Sequence, residues 1–477
     1  MEELWPWILP LPKETKEQYE ILLSVFKSKV SLDILLNMDI NKKNYQKELV
    51  EKIPHSNKSI INALKKFVRA GILEQKTEKI KVKDKEVWVK YYTLTFLGKY
   101  LKLLLTPVDK LSSKDVKETV KELFYFYAKS IAKLCFDFNI SHEVFHNILN
   151  KLYLTEVVQR VRESRKSVKV VVFGSTAIDI IIPTSNVPIG HDQTVTIHGY
   201  ISDVGGSATN VAIALSRLGV PTAFSGKIGG DYGGRIAVER MLDENVDISS
   251  IVIGEELQTP QSIVLVGKNG VKKILVLLGN NPALSLSSPA EVDWSLVNSC
   301  KIVYIGEVFV EVASAIASYA KNTGKWIVYR PITPFIKMGF KKLEPIIRSS
   351  NTIILNEINW NELKRSTPDV NTPTDLLNLG PEEVIITKSN KGVEVHTKDE
   401  IFELPSFKVK VIDTTGAGDA FAAGYIKARL DGKPLREAVK YALAVAALTT
   451  TKLGVRAAFP KVKRVENFIK KTHFNTH

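Results

Sequence analysis

A glycine-rich segment near the C-terminus constrains this chain more than any other feature. It reads VIDTTGAGDAFAAGYIKARL, from Val411 to Leu430, and the seven residues from Asp413 to Asp419 contain two glycines and two aspartates just ahead of an apolar helical run. Glycines beside a helix start leave backbone N–H groups unpaired, and the helix dipole adds to their attraction for an anion. We therefore expect this segment to bind phosphate.

Asp419 is the residue of the segment that phosphate binding does not explain. A carboxylate inside an anion site repels the phosphate, so its presence favours a chemical role. We expect Asp419 to act as a base beside the transferring group. The chain contains no GxxxxGK[ST] segment, which excludes an ordinary P-loop.

Length and composition limit the class of protein. A chain of 477 residues suggests two or three domains, and 44% hydrophobic with 25% charged residues is typical of a globular protein. No apolar stretch approaches the roughly 20 residues needed to span a bilayer. The first residues, MEELWPWILPLPKE, lack the order of a signal peptide.

Cys135 and Cys300 favour reduced thiols over a disulfide framework or a zinc site, so we expect a cytoplasmic protein without a structural metal.

The net charge of +15 is unevenly distributed along the chain. Residues 1–170 hold 32 Lys and Arg against 21 Asp and Glu, whereas residues 171–477 hold 34 against 30. This excess of base in the first third favours a polyanionic partner for that part. The alternative is that a lysine-rich surface serves only solubility or a hot habitat.

The first part of the chain is predicted to contain three helices and a hairpin. EQYEILLSVFKSKVSLDILLNM is an apolar helical run, and NYQKELVEKI is a second helix that must end at Ile53 because a proline follows. SNKSIINALKKFVRAGIL begins a third helix, with Ser56 or Asn57 as its cap and Gly71 as its terminator. KIKVKDKEVWVKYYTLT alternates strictly and indicates a basic hairpin.

The third predicted helix has two contrasting faces. Its apolar stripe consists of Ile60, Ile61, Leu64, Phe67 and Val68. The opposite face carries Lys58, Asn62, Lys65 and Arg69.

This order of helices, turn and basic hairpin, over residues 20–105, is similar to a winged helix-turn-helix DNA-binding domain. The resemblance implies that the polar face enters the major groove of double-stranded DNA, while the hairpin residues Lys81 and Lys83 meet phosphates. The alternative is that the face is only solvated.

Two further kinds of sequence pattern follow this region. SSKDVKETVKELFYFYAKSIAKLCFDF and SHEVFHNILNKLYLTEVVQRVRESRKS indicate two longer amphipathic helices, each with a capping serine, which we interpret as a connector or an element of a homodimer. From VKVVVFGSTAIDIIIP onward, strand-like and helical segments alternate as in a sheet covered by helices. We therefore predict an α+β domain at 1–107, a helical connector at 108–167 and an α/β domain at 168–477.

Glycine-rich stretches of the α/β part resemble the ribokinase, or PfkB, family of sugar and nucleoside kinases. The element D-T-x-G-A-G-D is matched in full by residues 413–419, and G-G-x-x-x-N is matched by Gly205, Gly206 and Asn210. The resemblance covers essentially all of residues 168–477. It implies a ribokinase-like three-layer α/β/α sandwich with a small β lid, supplied by hairpins at QTVTIHGYIS and QSIVLVGKNGVKKILVLLG.

The resemblance also implies a role for each matched position. Asp419 takes the proton of the acceptor hydroxyl, and the anion hole is formed by the amides of Gly416, Ala417 and Gly418. The substrate is held by Asp179, Gly205, Gly206, Asn210 and Glu307. The residues that border ATP are Asn356, Thr387, Ser389, Gly392 and Gly454. A monovalent cation such as K⁺ lies at Asp413 and the Thr415 carbonyl.

The chain departs from the family at the magnesium position. Members commonly carry N-x-x-E in the segment that serves magnesium and phosphate, whereas this chain has Asn356 with Asn359 in the place of the glutamate. We expect Mg²⁺ at Asn356, with Glu357 as a candidate second ligand and Glu362 as an alternative.

Other departures concern the acceptor. Ribokinase has an asparagine two residues before the substrate aspartate and a lysine after the glycine pair, where this chain has Ala177 and Ser207, which argues against ribose. Many members have an aspartate where this chain has Arg330. That arginine either meets an anionic acceptor or pairs with a surface carboxylate, and we favour the second interpretation.

Two classes of function follow. One is an ATP-dependent phosphotransferase that acts on a hydroxyl of a sugar, polyol or nucleoside. The other is a transcriptional regulator whose kinase-like domain is only an effector sensor with weak or no catalysis. The intact Asp419 segment favours active chemistry, so we expect a kinase coupled to DNA binding, a ligand-responsive regulator. A third possibility is that the N-terminal helices only mediate assembly.

Overall fold

The computed structural model describes residues 21, 23–82, 85–107, 112–184, 196–254, 256–267, 272–367 and 370–472. They form two compact units, divided after His142. The division falls inside the predicted connector, where its second helix begins.

The first unit combines helices with a small antiparallel sheet. Strand β3 (Lys85–Leu94) lies between β1 (Asn44–Tyr45) and β2 (Leu73–Val82) and pairs antiparallel with both. Its described elements are α1 Lys29–Asn37, β1 Asn44–Tyr45, α2 Gln46–Lys52, α3 Asn57–Arg69, β2 Leu73–Val82, β3 Lys85–Leu94, α4 Phe96–Leu105 and α5 Ser113–Phe138.

Several local predictions for this unit are confirmed. Helix α2 ends before Ile53, which acts as its C-cap. The Ser56 hydroxyl caps α3 by accepting the Ser59 amide at 3.2 Å, and Gly71 follows the helix with a φ of +67°. The long β2–β3 hairpin is also present.

Two local predictions for this unit were incomplete. The first apolar run is not one helix, because helical conformation ends at Phe26 and α1 begins only after Ser28, whose extended backbone (φ −136°) makes it an N-cap. Helix α4 was not predicted. The Thr95 side chain caps it by accepting the Gly98 amide at 3.2 Å.

The two faces of α3 agree with the sequence pattern. Ile60, Leu64 and Phe67 are fully buried in the core of the first unit, while Ile61 and Val68 are half-buried. The opposite face is exposed at Lys58, Asn62, Lys65 and Arg69.

The described part of the second unit contains two large sheets and one pair of short strands. Among the described residues, the main sheet has eight strands in the order β17-β16-β15-β14-β13-β12-β4-β7, and a lid sheet has four in the order β11-β10-β5-β6. The strands of these two sheets are β4 Val170–Phe173, β5 Ala177–Pro183, β6 Ile201–Gly205, β7 Thr222–Ser225, β10 Gln261–Val266, β11 Lys272–Leu277, β12 Ile302–Ile305, β13 Trp326–Tyr329, β14 Thr352–Asn356, β15 Glu383–Thr387, β16 Val393–Thr397 and β17 Ile401–Leu404. Two further strands, β8 Lys227–Gly229 and β9 Val252–Gly254, pair with each other.

Helices cover the main sheet around two separate hydrophobic cores. One core contains residues of α7, α15 and α16, and the other contains residues of α10 and α12. The helices of this unit are α6 His142–Glu163, α7 Ser207–Arg217, α8 Tyr232–Asp243, α9 Trp294–Ser299, α10 Val310–Asn322, α11 Thr333–Ile336, α12 Phe340–Ser349, α13 Glu357–Arg365, α14 Pro373–Leu377, α15 Ala417–Leu430, α16 Leu435–Thr449, α17 Val455–Ala458 and α18 Val462–Lys471.

The direction of the strands explains where functional side chains gather. Strands β7, β4, β12, β13, β14 and β15 run parallel, and β16 and β17 add an antiparallel edge. The carboxyl ends of parallel strands meet at one edge of the sheet, which is where open α/β sheets bind ligands. Arg330, Asn356 and the end of β15 at Thr387 lie at that edge.

One of the two predicted lid hairpins is confirmed. Strands β10 and β11 form an antiparallel hairpin, but QTVTIHGYIS does not form one by itself. Residues 193–195 lie outside the described residues, residues 196–200 carry no strand, and β6 begins at Ile201 and pairs with β5. The partner of β6 thus lies about twenty residues earlier in the chain, so the local alternation could not identify it.

The predicted connector helices belong to different units. Helix α6 buries Leu154 and Val158 in the same core as α7 and α15, ahead of the domain boundary expected at residue 168. No helix in the described ranges is both long and apolar enough to cross a membrane.

The burial of α6 can be tested by truncating one side chain. We expect Leu154→Ala to lower the free energy of unfolding by about 2–5 kcal/mol, because the fully buried leucine leaves a cavity. Leu152→Ala on the same helix is the control, since that side chain is 62% exposed and its loss should change stability by about 0.5 kcal/mol or less. Equal effects in chemical denaturation would show that α6 does not pack as described.

Candidate active site

The predicted base lies at the start of a long buried helix. Asp419 occupies the first turn of α15 and is buried, and Gly416 is the N-cap with a φ of +77°. A side chain on Gly416 would also lie 2.4 Å from Val455. The first amides of a helix have no acceptor within the helix, so Gly416, Ala417 and Gly418 occupy a position suited to an anion. The Ala417 amide makes only a long bond of 3.3 Å, to the Thr414 carbonyl.

Asp413 holds this segment in place. Its Oδ1 accepts the amide and hydroxyl of Thr415 at 2.9 and 2.6 Å, and its Oδ2 accepts the Gly454 amide at 3.2 Å. Gly454, which is predicted to border the nucleotide, is thereby hydrogen-bonded to the glycine-rich segment at residues 413–419. The monovalent cation site at Asp413 and Thr415 stays a prediction.

The Asp419 carboxylate accepts hydrogen bonds from three side chains. Its Oδ1 accepts from the Ser207 hydroxyl at 2.8 Å and from Arg330 Nη1 at 2.7 Å, and its Oδ2 accepts from Asn210 Nδ2 at 2.9 Å. Ser207 and Asn210 lie in the first turn of α7, and Arg330 follows β13 directly. The site therefore forms where α7, α15 and the end of β13 meet.

The interpretation of Arg330 as the partner of a surface carboxylate is wrong. The Arg330 side chain is 17% exposed and its partner Asp419 is 10% exposed, so both charges are largely removed from water. Burial works against the charge of Arg330, but Tyr304, Asp419 and Glu307 together keep its pKa above the ordinary value. The guanidinium also lies against Gly418, where an added Cβ would be 2.5 Å from Nη2.

The predicted substrate wall is partly assembled around Asp179 on β5. Its Oδ1 accepts the Ser262 hydroxyl at 2.6 Å. An added Cβ on Gly205 would lie 2.1 Å from Asp179 Oδ2, so the backbone approaches this carboxylate as only a glycine permits. A cavity of about 40 Å³ touches both Asp179 and Gly454.

Glu307 lies after β12 and belongs to the same cluster as Asp419. Its Oε2 accepts the Ser175 hydroxyl and the Ala208 amide, each at 3.2 Å. Burial and the nearby Asp419 carboxylate raise the pKa of Glu307. The prediction that Glu307 borders the site is therefore compatible with its position.

Asn210 offers one unused polar atom beside the base. Its Nδ2 holds Asp419, whereas its buried Oδ1 accepts no hydrogen bond from any described residue. A buried carbonyl oxygen without a donor costs free energy, so a ligand that donates a hydrogen bond there gains affinity.

The predicted nucleotide residues lie on neighbouring strand ends. Asn356 ends β14 and pairs with Thr387, the last residue of β15. Ser389 and Gly392 belong to the short turn that connects β15 to β16. Four of the five predicted residues therefore share the carboxyl edge of the main sheet.

Both polar side-chain atoms of Asn359, which stands in the place of the family's glutamate, are hydrogen-bonded to protein groups. Its Oδ1 accepts the Thr333 hydroxyl at 2.6 Å and its Nδ2 donates to the Pro331 carbonyl at 3.0 Å. Asn359 thus fixes the loop that follows Arg330. Asn356 caps α13 by accepting the Asn359 amide at 2.7 Å.

Ser207 and Tyr304 are site residues that the sequence did not identify. Ser207 directly follows the glycine pair, and that position was a usable signal. Tyr304 is a fully buried residue of β12 beside Arg330, and its apolar neighbours in the sequence predict only a core residue.

Comparisons with known proteins identify the family of this chain. The pfkB family carbohydrate kinase profile matches residues 167–462. Fructokinase-2 of Solanum lycopersicum is 27% identical over 320 residues, covering 63% of this chain and 96% of that protein. The ATP-dependent ribose-1-phosphate kinase of Halopiger xanaduensis is 28% identical over 303 residues, covering 63% and 98%. The crystal structure of a ribokinase from Thermotoga maritima aligns with a TM-score of 0.56 at 25% identity, covering 64% of this chain and 100% of that one. The family match spans more than half of the chain, which therefore belongs to the pfkB family as an ATP-dependent kinase of small molecules.

Proposed function

We propose that this kinase transfers the γ-phosphoryl group of ATP to a hydroxyl of a sugar, polyol or nucleoside, with Asp419 as the base. The observation that carries the proposal is the placement of Asp419 between the amides at the start of α15 and the polar groups of α7. The names of the relatives, fructokinase and ribose-1-phosphate kinase, support a carbohydrate acceptor.

The hydrogen bonds of Asp419 leave room for one acceptor hydroxyl. An ionised carboxylate has about four lone-pair positions, and Ser207, Arg330 and Asn210 fill three of them. The remaining position is on Oδ2, the oxygen that accepts from Asn210 Nδ2, and Asn210 Oδ1 itself accepts no hydrogen bond from any described residue. An acceptor with two neighbouring hydroxyls would donate one to Asp419 and the other to Asn210.

The proposed phosphoryl transfer uses side chains and backbone amides that the fold holds in place. The acceptor oxygen forms a bond to the γ-phosphorus as Asp419 takes its proton, and the bond to the bridging oxygen breaks with its electron pair going to ADP. The amides of Gly416, Ala417 and Gly418 stabilise the charge on the phosphoryl oxygens. Asp179 and Glu307 hold further groups of the acceptor.

Magnesium would neutralise charge on the ATP phosphates at the carboxyl end of β14. Asn356 Oδ1 already accepts a backbone amide, whereas Glu357 is exposed in the first turn of α13 and offers a carboxylate. Among the described residues no three His, Cys, Asp or Glu side chains form a metal cluster. A site with one protein carboxylate fits Mg²⁺, which commonly keeps its waters and binds one or two carboxylates together with phosphates.

The first unit is proposed to be a winged helix that binds double-stranded DNA. The exposed face of α3 carries three positive charges, and Lys81 is exposed on β2 of the hairpin. Lys83 lies outside the described residues. Exposed aromatic residues on α5, among them Tyr125 and Phe136, are proposed to mediate a homodimer, as operators with two half-sites require.

A second function is favoured by the ion pair between Arg330 and Asp419. A base that is already paired with a cation, together with the engaged Asn359, suits a domain that senses its ligand with weak or no catalysis. The intact glycine-rich segment at residues 413–419 favours the active kinase, so we place the sensor second.

The catalytic role of Asp419 can be tested by a nearly isosteric change. We expect Asp419→Asn to lower kcat by roughly 100-fold or more, because general-base catalysis is lost while ADP still binds. Asp399→Asn, in an exposed turn between β16 and β17, is the matched control and should keep its activity. A variant at position 419 that retains most of its turnover would refute the assignment.

The DNA-binding proposal makes separate predictions for the hairpin and for α3. Lys81→Ala should weaken binding to all duplexes and reduce the slope of log affinity against log salt by about one unit. Lys65→Ala should instead reduce discrimination between duplex sequences. Lys341→Ala, at an exposed position of the second unit, is the control. If fluorescence anisotropy finds all three variants equal to the unaltered chain, the face of α3 is only solvated.

A further inference from the structure

We propose that Arg330 is a further catalytic residue, whose guanidinium binds the transferring phosphoryl group and whose charge becomes available to it as Asp419 takes the acceptor proton. This inference rests on the kinase function proposed above. It assigns to one arginine a role that links the proton transfer to the phosphoryl transfer.

The proposal rests first on the position of the Arg330 guanidinium. Nη1 is bound to Asp419 Oδ1 at 2.7 Å and to the Ser207 hydroxyl at 2.8 Å, so the side chain is fixed at the base. Nη2 lies so close to Gly418 that an added Cβ would be only 2.5 Å away. Gly418 is a member of the anion hole. An anion held by that amide would therefore lie within reach of the guanidinium.

The proposal rests second on the charges of Arg330 and Asp419. Before reaction, the negative charge of Asp419 balances the positive charge of Arg330. When the acceptor hydroxyl gives its proton to Asp419, the aspartic acid becomes neutral. The guanidinium, which is largely buried and keeps its proton, then loses the counter-charge to which it is hydrogen-bonded. The nearest site for a new anionic partner is the phosphoryl group at Gly418.

An interaction that strengthens as the reaction proceeds accelerates it. A cation whose charge is partly balanced by Asp419 in the ground state already binds the γ-phosphate there. It binds the phosphoryl oxygens more strongly once Asp419 is neutral, so it lowers the barrier more than it tightens substrate binding. The planar guanidinium suits this role because its separate N–H groups can contact Asp419 and a phosphoryl oxygen at the same time. No electron transfer is involved, and the acceptor proton moves to Asp419.

The test compares nucleotides with and without a γ-phosphate, so it needs no knowledge of the acceptor. Calorimetric titration of the full chain with AMP-PNP and with ADP, each with Mg²⁺, gives the preference for the γ-phosphate. We expect Arg330→Gln to weaken AMP-PNP binding by about tenfold or more and ADP binding by less than about threefold, as loss of a charge-assisted contact predicts. Arg348→Gln, which removes an exposed pair with Glu344, is the control and should change neither.

The Asp419→Asn variant should change the affinity for AMP-PNP in the opposite direction. Removing the counter-charge frees Arg330, so AMP-PNP should bind more tightly than to the unaltered chain while ADP changes little. The double variant Arg330→Gln/Asp419→Asn should lose that gain, and it keeps the test valid if Arg330→Gln alone leaves a buried carboxylate unpaired and does not fold.

The possible outcomes separate the two proposals. If Arg330→Gln weakens AMP-PNP and ADP equally, or neither, or if Asp419→Asn gives no gain, Arg330 has only a structural role and the inference fails alone. If the unaltered chain binds neither nucleotide, the proposed kinase function fails and this inference fails with it.

Discussion

The buried carboxylate of Asp419 is the constraint on which the site depends. An ionised carboxylate out of water is costly unless donors surround it, and here a hydroxyl, an amide and a guanidinium do so from two other elements. Those donors fix the start of α7 and the end of β13 against the start of α15. A side chain at Gly418 would displace the guanidinium of Arg330, because an added Cβ would lie 2.5 Å from Nη2. The geometry that we propose for anion binding therefore follows from the need to satisfy one charge.

The two departures from the family pattern are physically connected. Asn359 donates a hydrogen bond to the Pro331 carbonyl, and Pro331 is the residue after Arg330. An ionised glutamate at position 359 could only accept hydrogen bonds and could not make this contact. The residue that replaces the magnesium glutamate thus holds the loop that presents the arginine. The loss of a negative charge at one position and the gain of a positive charge at the other both favour an anion in the cleft.

The sequence predicted local features of this protein well and distant partnerships poorly. The cap at Ser56, the end of α2 at Ile53 and the placement of Asp419 at a helix start depend on residues within a few positions of one another, so their patterns are visible in the chain. The partner of Arg330 is 89 residues away, and the pairing of β6 with β5 crosses a long segment, so neither could be inferred from spacing. The assignment of α6 to the second unit likewise depends on the burial of Leu154.

The central claim is that this site performs phosphoryl transfer and does not merely sense a ligand. Phosphorus NMR of the purified chain incubated with ATP, Mg²⁺ and a panel of sugars, sugar phosphates, polyols and nucleosides tests it most directly. The account predicts that at least one compound with neighbouring hydroxyls yields a new phosphate monoester with stoichiometric ADP, and that the Asp419→Asn variant yields it far more slowly. Saturable binding of such a compound and of ATP without any monoester or ADP would contradict the account and identify the domain as a sensor.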